Sequence, residues 1–315
     1  MPTPTPQQLA TTVFAPQVHT RDDLLHQGLT ARQITSSVRA GRLIRLRRNR
    51  YGRLDLDDTI AAAVRVGGRL TCLSLLQILG VFVLRVSAVH TQVPANSSRL
   101  GAPTSGGVRV HWADEPEHDL LHVTSLRAAV IHSLRCQSPR AAVATLDSLV
   151  HHGLVTRTQL EAMFLELPVR FRTLLRLVDP SAESGPETFV RLILRALGVS
   201  YETQVLIVGV GRVDFIVDGW LVVECDSRTF HEGWTKQKQD RERDLAAARL
   251  GYVTVRPLAA DILNRPDTVA DALRDVIDVL GPKFTSRPRS QLRRTTPEQG
   301  RRKTSGRRDG SRPEL

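Results

Sequence analysis

Residues 213–231, VDFIVDGWLVVECDSRTFH, place three carboxylates inside what the pattern predicts to be a buried hairpin. Two apolar runs flank an Asp-Gly pair, an arrangement typical of two strands joined by a tight turn. Asp214, Glu224 and Asp226 interrupt the apolar runs. Burying an unpaired carboxylate costs several kcal/mol, so these acids need a partner, either a metal ion or a structural Arg or Lys.

The length of the connection between the two strands decides which acids share a face. Side chains alternate along a strand, and directly opposed residues of an antiparallel pair point to the same face. A two-residue turn would therefore send Glu224 to the face opposite Asp214, and one metal ion could not bind both. A metal site requires an odd-numbered connection through Trp220, or a bulge, with Val217 opposite Leu221 and Asp214 opposite Glu224.

Residues 20–55 have the pattern of two helices followed by a basic hairpin. Thr20 is expected to cap a first helix, RDDLLHQG, and Thr30 begins a second, TARQITSSVRAG. Six arginines within twelve residues follow, interleaved with apolar residues. The arginines expected to contact a DNA phosphate backbone are Arg42, Arg45, Arg47, Arg48 and Arg50. A solvated charged hairpin is the alternative, but the preceding helix-turn-helix pattern favours DNA contact.

The net charge of +12 is concentrated at the C-terminal end of the chain. Residues 283–315 carry 11 Lys and Arg against 3 Asp and Glu, a net of +8, which leaves +4 for the other 282 residues. This segment has few large apolar residues and is expected to be a disordered basic tail. It either holds phosphates without sequence preference or only keeps the chain soluble.

Composition and cysteine usage exclude several classes of protein. The chain has 315 residues, of which 41% are apolar, enough for the cores of two or three domains. Its longest apolar stretch, residues 70–84, is too short and too polar to cross a bilayer, and the N-terminus lacks the pattern of a secretory signal. Three widely spaced cysteines argue against a disulfide framework and contain no CxxC motif. We expect a cytoplasmic protein without a membrane partner.

The region between the two motifs, residues 56–178, is expected to form a connecting α+β domain. It contains four potential metal ligands: His111, Asp114, His118 and His122. Their spacing matches no strong metal-binding pattern, so surface or capping roles are the favoured interpretation.

Two resemblances to known families follow from these motifs. The order helix, GLT, helix, AGRLIRLRRNRYG resembles the N-terminal winged-helix domain of AbiEi-type antitoxins, which precedes nuclease-like domains in actinobacterial proteins, and it spans residues 14–55. Asn49 stands near the place of the usual turn glycine.

The second resemblance, over residues 187–256, is to the very-short-patch-repair-like branch of the restriction-endonuclease-like PD-(D/E)XK superfamily. Its elements here are Glu187, RVDF with Asp214, VVECDSRTFH with Glu224, Asp226 and His231, DRERD with Asp240 and Arg243, and GYVTVRP with Arg256.

The second resemblance implies an αβββαβ nuclease core within residues 179–282 and a site that cuts DNA with Mg²⁺. Asp214, Glu224 and Asp226 would hold the ion, since hard carboxylate oxygens suit Mg²⁺, with Glu187 approaching from the first helix. The superfamily pattern usually ends in Glu-x-Lys, and this chain has Asp226 in place of the lysine. The general base is therefore unassigned. His231 is the candidate because its ordinary pKa suits proton transfer at neutral pH, and Lys236 or Lys238 could supply charge instead.

Two functions from different classes remain open at this stage. The chain is predicted to be a mixed α/β multidomain protein that binds DNA and carries a Mg²⁺-dependent endonuclease. Alternatively, it is a non-catalytic regulator or antitoxin with a degenerate nuclease fold, in which Asp214 and Glu224 pair with Arg212, Arg243 or Arg256. Asp240 and Arg243, three apart on a helix, are expected to form a structural ion pair together with Arg256. A toxin or other protein partner stays undefined.

Overall fold

The computed structural model describes residues 3–98, 100–101, 107–115, 118–226 and 234–285. The chain divides into two compact units, Met1–Leu192 and Ile193–Leu315. Both contain helices and small sheets, so the predicted mixed α/β class is confirmed.

The N-terminal part of the first unit contains three helices and a three-stranded antiparallel sheet. Its elements are α1 (Pro6–Val13), β1 (Val18–His19), α2 (Arg21–His26), α3 (Ala31–Arg39), β2 (Ile44–Arg47) and β3 (Arg50–Gly52). The strands lie in the order β1-β3-β2. Thr20 and Thr30 cap α2 and α3 through capping boxes, in which the threonine hydroxyl and the side chain three residues later satisfy backbone N–H groups at the helix start. Both predicted helix starts are confirmed.

The β2–β3 hairpin turns without a glycine. Arg47 pairs with Arg50, so Arg48 and Asn49 form the turn. Asn49 has a φ of 57°, in the left-handed region that asparagine tolerates better than most residues. Its side-chain oxygen also accepts a hydrogen bond from the Arg21 N–H at 2.7 Å. Asparagine can therefore replace the expected turn glycine here.

The rest of the first unit is mostly helical and contains a second sheet. Its elements are α4 (Asp58–Val66), β4 (Arg69–Leu70), α5 (Cys72–Ile78), β5 (Val89–Val93), β6 (Val108–Trp112), α6 (Leu126–Ser133), α7 (Pro139–His151), α8 (Arg157–Leu165), a 3-10 turn (Val169–Phe171), α9 (Arg172–Leu175) and α10 (Gly185–Leu197), which continues into the second unit. In the sheet β4-β5-β6, β4 is antiparallel and β6 parallel to β5. Leu75, Leu76, Leu146, Leu149 and Phe164 are among the fully buried core residues.

A buried ion pair connects α7 to the middle of α10. Asp147 and Arg191 are 1% and 3% exposed, and their side chains meet at 2.7 Å. The Thr188 hydroxyl and the Asp179 N–H also donate to the Asp147 carboxylate, each at 2.7 Å. Burial raises the pKa of Asp147, although Arg191 and these hydrogen bonds lower it. Removing one partner of such a pair leaves the other charge buried and uncompensated.

Replacing Asp147 with alanine should lower the free energy of unfolding by about 3–5 kcal/mol, because the Arg191 guanidinium would stay buried without a counter-charge. Denaturant unfolding followed by circular dichroism measures the loss. Glu161→Ala is the matched control, since Glu161 and Arg157 form a half-exposed pair at 3.1 Å, for which we expect a loss below about 1 kcal/mol. Equally small losses in the two variants would contradict the structural role of Asp147.

The second unit is built around one four-stranded sheet. After α10 it contains β7 (Tyr201–Ile207), β8 (Gly211–Val217), β9 (Leu221–Val223), α11 (Trp234–Arg249), β10 (Val253–Val255), α12 (Ala259–Asn264) and α13 (Pro266–Thr285). The strands lie in the order β10-β9-β8-β7, with β10 parallel to β9 and the other pairs antiparallel. One core joins the sheet to α11 through Ile207, Val213, Ile216, Val222 and Ala247. The predicted succession of three strands, a helix and a strand is present.

The segment predicted to be a disordered tail begins inside a helix, and most of it is not described by the structure. Helix α13 runs to Thr285, three residues into the segment predicted to be a tail, and residues 286–315 lie outside the described part of the chain. Among the described residues, no helix combines the length and the apolar character that crossing a bilayer requires.

Candidate functional site

The hairpin of β8 and β9 has the odd connection that a shared metal site requires. Val217 lies opposite Leu221, as predicted, and Phe215 lies opposite Val223. The Trp220 N–H donates to the Val217 carbonyl at 3.1 Å, so the chain turns at Asp218 and Gly219 and Trp220 is the extra residue. Continuing the register by one step brings Asp214 opposite Glu224, on the same face of the sheet.

Asp214 is half-buried beside a distorted part of the neighbouring strand. Its carboxylate accepts a hydrogen bond from the Cys225 N–H at 2.8 Å, across the hairpin. On the other side, β7 pairs Thr203 with Phe215 and Val205 with Val213. Gln204, which lies between these pairs at the level of Asp214, has a φ of 51°. Left-handed backbone at a non-glycine residue inside a strand is strained, and such strain concentrates at functional sites.

Glu224 is buried and held by two arginines. It is 7% exposed, and its carboxylate lies 2.9 Å from Arg243 and also contacts Arg256. The pKa of Glu224 is raised, chiefly because the carboxyl is buried. The charges of Arg256 and Arg243 lower this pKa, and those of Asp214 and Asp244 raise it further. The alternative of structural arginine partners, left open by the sequence, is therefore present at Glu224.

Asp226 follows Glu224 on the same side of an extended segment. The Glu224 N–H donates to Val255 and the Asp226 N–H to Pro257, each at 3.1 Å, so the chain after β9 continues beside the segment that follows β10. Residues two apart on such a segment share a face, and Asp214 therefore lies on the face shared by Glu224 and Asp226. The Asp226 side chain is half-buried.

The other predicted catalytic residues are not brought into this set by the described contacts. Glu187 lies in the first unit, where its carboxylate accepts hydrogen bonds from the Ser184 hydroxyl at 2.7 Å and the Glu183 N–H at 2.9 Å and so caps its own helix. His231 lies outside the described residues, as does the side chain of Lys236. Lys238 is exposed on α11, 3.8 Å from Glu242.

Arg243 and Arg256 are the centre of a wider network than the predicted pair of Asp240 and Arg243. The Arg243 guanidinium is 4.0 Å from Asp240 and donates to the Val210 carbonyl at 3.1 Å and the Arg212 carbonyl at 2.7 Å. Arg256 lies 2.7 Å from Asp244. Burial alone would lower the pKa of Arg256, but the hydrogen bond and charge of Asp244 and the charge of Glu224 raise it. Each arginine therefore has partners besides Glu224.

The predicted DNA-binding arginines fall into two groups. Arg42, Arg45 and Arg48 are exposed. Arg47 is half-buried, and its guanidinium donates to the Val66 carbonyl at the end of α4 at 3.2 Å. Arg50 is also half-buried, and burial lowers its pKa together with the charges of Arg47 and Arg69. The structure therefore gives Arg47 a packing contact that the sequence did not predict.

Arg47, Arg48, Arg50 and Arg69 line a pocket of about 550 Å³ in the first unit. Asp114 and Glu115 also line it, and Glu115 is 4.0 Å from Arg69. Four arginines against two acids leave an excess of positive charge among the lining residues. This excess favours an anion such as a phosphate.

Three of the four residues weighed as metal ligands in the middle region make hydrogen bonds to the backbone, although His122 is buried and so has neither the surface nor the capping role predicted for it. His118 contacts the Val123 carbonyl at 2.9 Å, buried His122 contacts the Val13 carbonyl at 3.0 Å, and Asp114 accepts from the Ala95 N–H at 3.0 Å. His111 differs. It groups with three residues that sequence analysis did not connect, Cys72, His90 and Cys136.

No protein-family model and no curated protein matches this chain. The resemblances to AbiEi-type antitoxins and to restriction-endonuclease-like nucleases therefore stay predictions made from the residues themselves.

In the absence of divalent cations, Glu224→Gln should be more stable than the unchanged protein at neutral pH. Folding raises the pKa of this carboxyl above its value in the unfolded chain, which is near 4.5. The resulting contribution to stability is therefore fully present at a pH below 4.5 and is lost as the pH rises through the pKa of the folded state. The difference between the two proteins should therefore vanish on acidification below about 4.5. Denaturant unfolding in EDTA across this pH range measures it. A wild type that is more stable at neutral pH and loses that advantage in acid would mean that Arg243 and Arg256 outweigh burial.

Proposed function

We propose that this chain is a DNA-binding protein whose second unit hydrolyses phosphodiester bonds with the help of Mg²⁺. The observation that carries the proposal is the three-residue connection between β8 and β9. It brings Asp214 opposite Glu224, on the face that Asp226 also shares. A regular two-residue turn would have separated them.

The order of the elements supports the same proposal. Helix α10, strands β7 to β9, helix α11 and strand β10 follow the αβββαβ order of the restriction-endonuclease-like core, with β10 added parallel to β9. In the first unit, three helices with the antiparallel sheet β1-β3-β2 are consistent with a winged helix whose wing is the β2–β3 hairpin.

The donor set suits Mg²⁺ because it consists of carboxylate oxygens, which hard cations prefer. When bound, the ion would neutralise charge on the scissile phosphate and lower the pKa of a water molecule. Asp214, Glu224 and Asp226 would hold it. Arg243 and Arg256 would release Glu224 without losing all their partners, since Arg243 keeps the backbone carbonyls of Val210 and Arg212 and Arg256 keeps Asp244.

A regulator without catalytic activity is the second candidate, and the two arginines on Glu224 favour it. Two guanidinium groups compensate the buried carboxylate without any metal ion. Asp226 in place of the usual lysine points the same way. In this case the second unit would serve as a binding platform and the first unit would bind DNA.

Asp214→Ala and Glu224→Ala should each reduce Mg²⁺-dependent nicking of plasmid DNA to background, because each removes an ion ligand, while DNA binding is retained. Glu242→Ala is the matched control, since Glu242 is an exposed acid of α11 and should leave nicking unchanged. Nicking by purified protein with Mg²⁺ or with EDTA, together with a mobility-shift assay, measures both properties. Full activity in both alanine variants would overturn the assignment of the site. DNA binding without any Mg²⁺-dependent nicking by the unchanged protein would establish the regulator instead.

Replacing Arg42, Arg45 and Arg48 with alanine should weaken DNA binding and flatten its dependence on salt. Each lost phosphate contact lowers the slope of log K against log salt concentration by about 0.9 for duplex DNA. Arg47 is left in place because it contacts the Val66 carbonyl. Arg53→Ala is the control, since Arg53 is exposed but paired with Asp55 at 2.9 Å. A slope unchanged in the triple variant would mean that these arginines are only a solvated face.

A further inference from the structure

Four potential metal ligands from four parts of the first unit converge on one point. Cys72 is the first residue of α5, His90 lies in β5, His111 lies in β6, and Cys136 follows the end of α6. One ligand atom from each residue can be chosen so that all four lie within 4.8 Å of one another. Cys72 and His90 are buried, and His111 and Cys136 are half-buried. None of its residues belongs to the set of acids proposed as ligands in the second unit.

Two ligand–ligand distances within the cluster are close to those of a tetrahedral metal site. The His90 Nδ1 and His111 Nε2 atoms are 3.1 Å apart, and the Cys136 Sγ and His111 Nε2 atoms are 3.9 Å apart. A tetrahedral Zn²⁺ ion with Zn–N bonds of about 2.0–2.1 Å and Zn–S bonds of about 2.3 Å separates two nitrogens by about 3.3 Å and a nitrogen from a sulfur by about 3.6 Å. Both observed separations lie within a few tenths of an ångström of these edges.

The sheet and the start of α5 hold the ligands in place. In the parallel pair β5–β6, His111 lies opposite Gln92, so His90, two residues before Gln92, points to the same face as His111. The Thr71 N–H donates to the His90 carbonyl at 3.0 Å, and the His90 N–H donates to the Ser74 hydroxyl at 2.9 Å. These two hydrogen bonds, one to the backbone and one to the Ser74 side chain, therefore hold the beginning of α5 beside His90.

Cys72 has a strained backbone at this position. Its φ is 54°, in the left-handed region that residues with a side chain rarely adopt. Strain of this kind persists where the surroundings over-determine the conformation, and it concentrates at functional and ligand-binding positions. A thiol that must join the three other ligands gives such a reason.

The chemistry of the four groups selects a soft divalent cation. Two thiols and two imidazoles form the S₂N₂ set that suits Zn²⁺, whereas Mg²⁺ prefers oxygen ligands. The hydrogen bond from Cys72, followed by contacts with His111 and His90, lowers the pKa of Cys136, while burial raises the pKa of Cys72. A divalent ion would balance two thiolates and leave the cluster neutral, which a buried position requires.

We propose that Cys72, His90, His111 and Cys136 bind a structural Zn²⁺ ion. Four protein ligands close the coordination sphere, so the ion would link α5, β5, β6 and the end of α6 rather than catalyse a reaction. His132, on α6, stacks on His111 with ring centroids 4.6 Å apart and an angle of 17°, and its Nδ1 atom lies 3.2 Å from the Thr71 hydroxyl. It is a positioning residue for the His111 ring.

Metal analysis of the purified full chain tests the proposal directly. Inductively coupled plasma mass spectrometry should find about one equivalent of zinc, as a site with four protein ligands predicts. Replacing the zinc with Co²⁺ should give the visible bands of tetrahedral cobalt and a near-ultraviolet thiolate-to-cobalt band. Cys136→Ser and His111→Asn should lose the bound metal. Cys225→Ser and His26→Asn, a cysteine and an exposed histidine outside the cluster, should retain it.

Thermal unfolding and cysteine alkylation of the unchanged protein, with and without a chelator, test the site even if the ligand variants do not fold. Chelation should lower the thermal midpoint and open Cys136 to alkylation, and Zn²⁺ should reverse both changes while Mg²⁺ should not. A purified protein that holds no zinc and takes up neither Zn²⁺ nor Co²⁺, or that contains a Cys72–Cys136 disulfide, would overturn the proposal. The result is independent of the proposed nuclease function, because the Asp214 and Glu224 variants should keep their zinc.

Discussion

Side chains alternate between the faces of a β-sheet, so a single residue in a turn decides which groups can act together. Trp220 is that residue between β8 and β9. Without it, Asp214 and Glu224 would point in opposite directions, and one metal ion could not bind both. Gln204, on the strand beside Asp214, has a left-handed backbone, so strain is also present on the other side of this acid.

Both units bury carboxylates, and they compensate the cost in different ways. Asp147 has one arginine and two further donors, and the result is a closed structural contact. Glu224 has two arginines, each with other partners, beside further acids. Breaking an ion pair costs less when its arginines keep other hydrogen-bond or ion-pair partners than when the arginine becomes a buried, uncompensated charge. This difference separates a candidate active site from a purely structural pair.

The two proposed metal sites differ in the hardness of their ligands and therefore in the ions they select. Carboxylate oxygens in the second unit suit Mg²⁺, and thiols with imidazoles in the first unit suit Zn²⁺. A general chelator such as EDTA would remove both ions. Loss of function on chelation is therefore informative only when one ion at a time is returned.

The secondary structure could be predicted from the sequence because it follows from local patterns. Thr20 and Thr30 mark helix starts through their own side chains, and short apolar runs on either side of an Asp-Gly pair mark two strands of the second unit. The requirement that Val217 lie opposite Leu221 could also be stated from the sequence, since parity is a property of residue numbers. The sequence did not determine whether the connection has two or three residues, and only the structure showed that it has three.

Only the tertiary structure decided which side chains meet. Sequence separations of 18 to 25 residues between successive members of the Cys72, His90, His111 and Cys136 cluster match no motif, because the start of α5, two parallel strands and the segment after α6 bring them together. The contact of Arg47 with the end of α4 was equally hidden. Local patterns by themselves determined the capped starts of α2 and α3, the strands of the second unit and the burial of acids in its hairpin, but not the buried pair of Asp147 and Arg191. The partner of each buried charge depends on packing between distant segments, which no local pattern encodes.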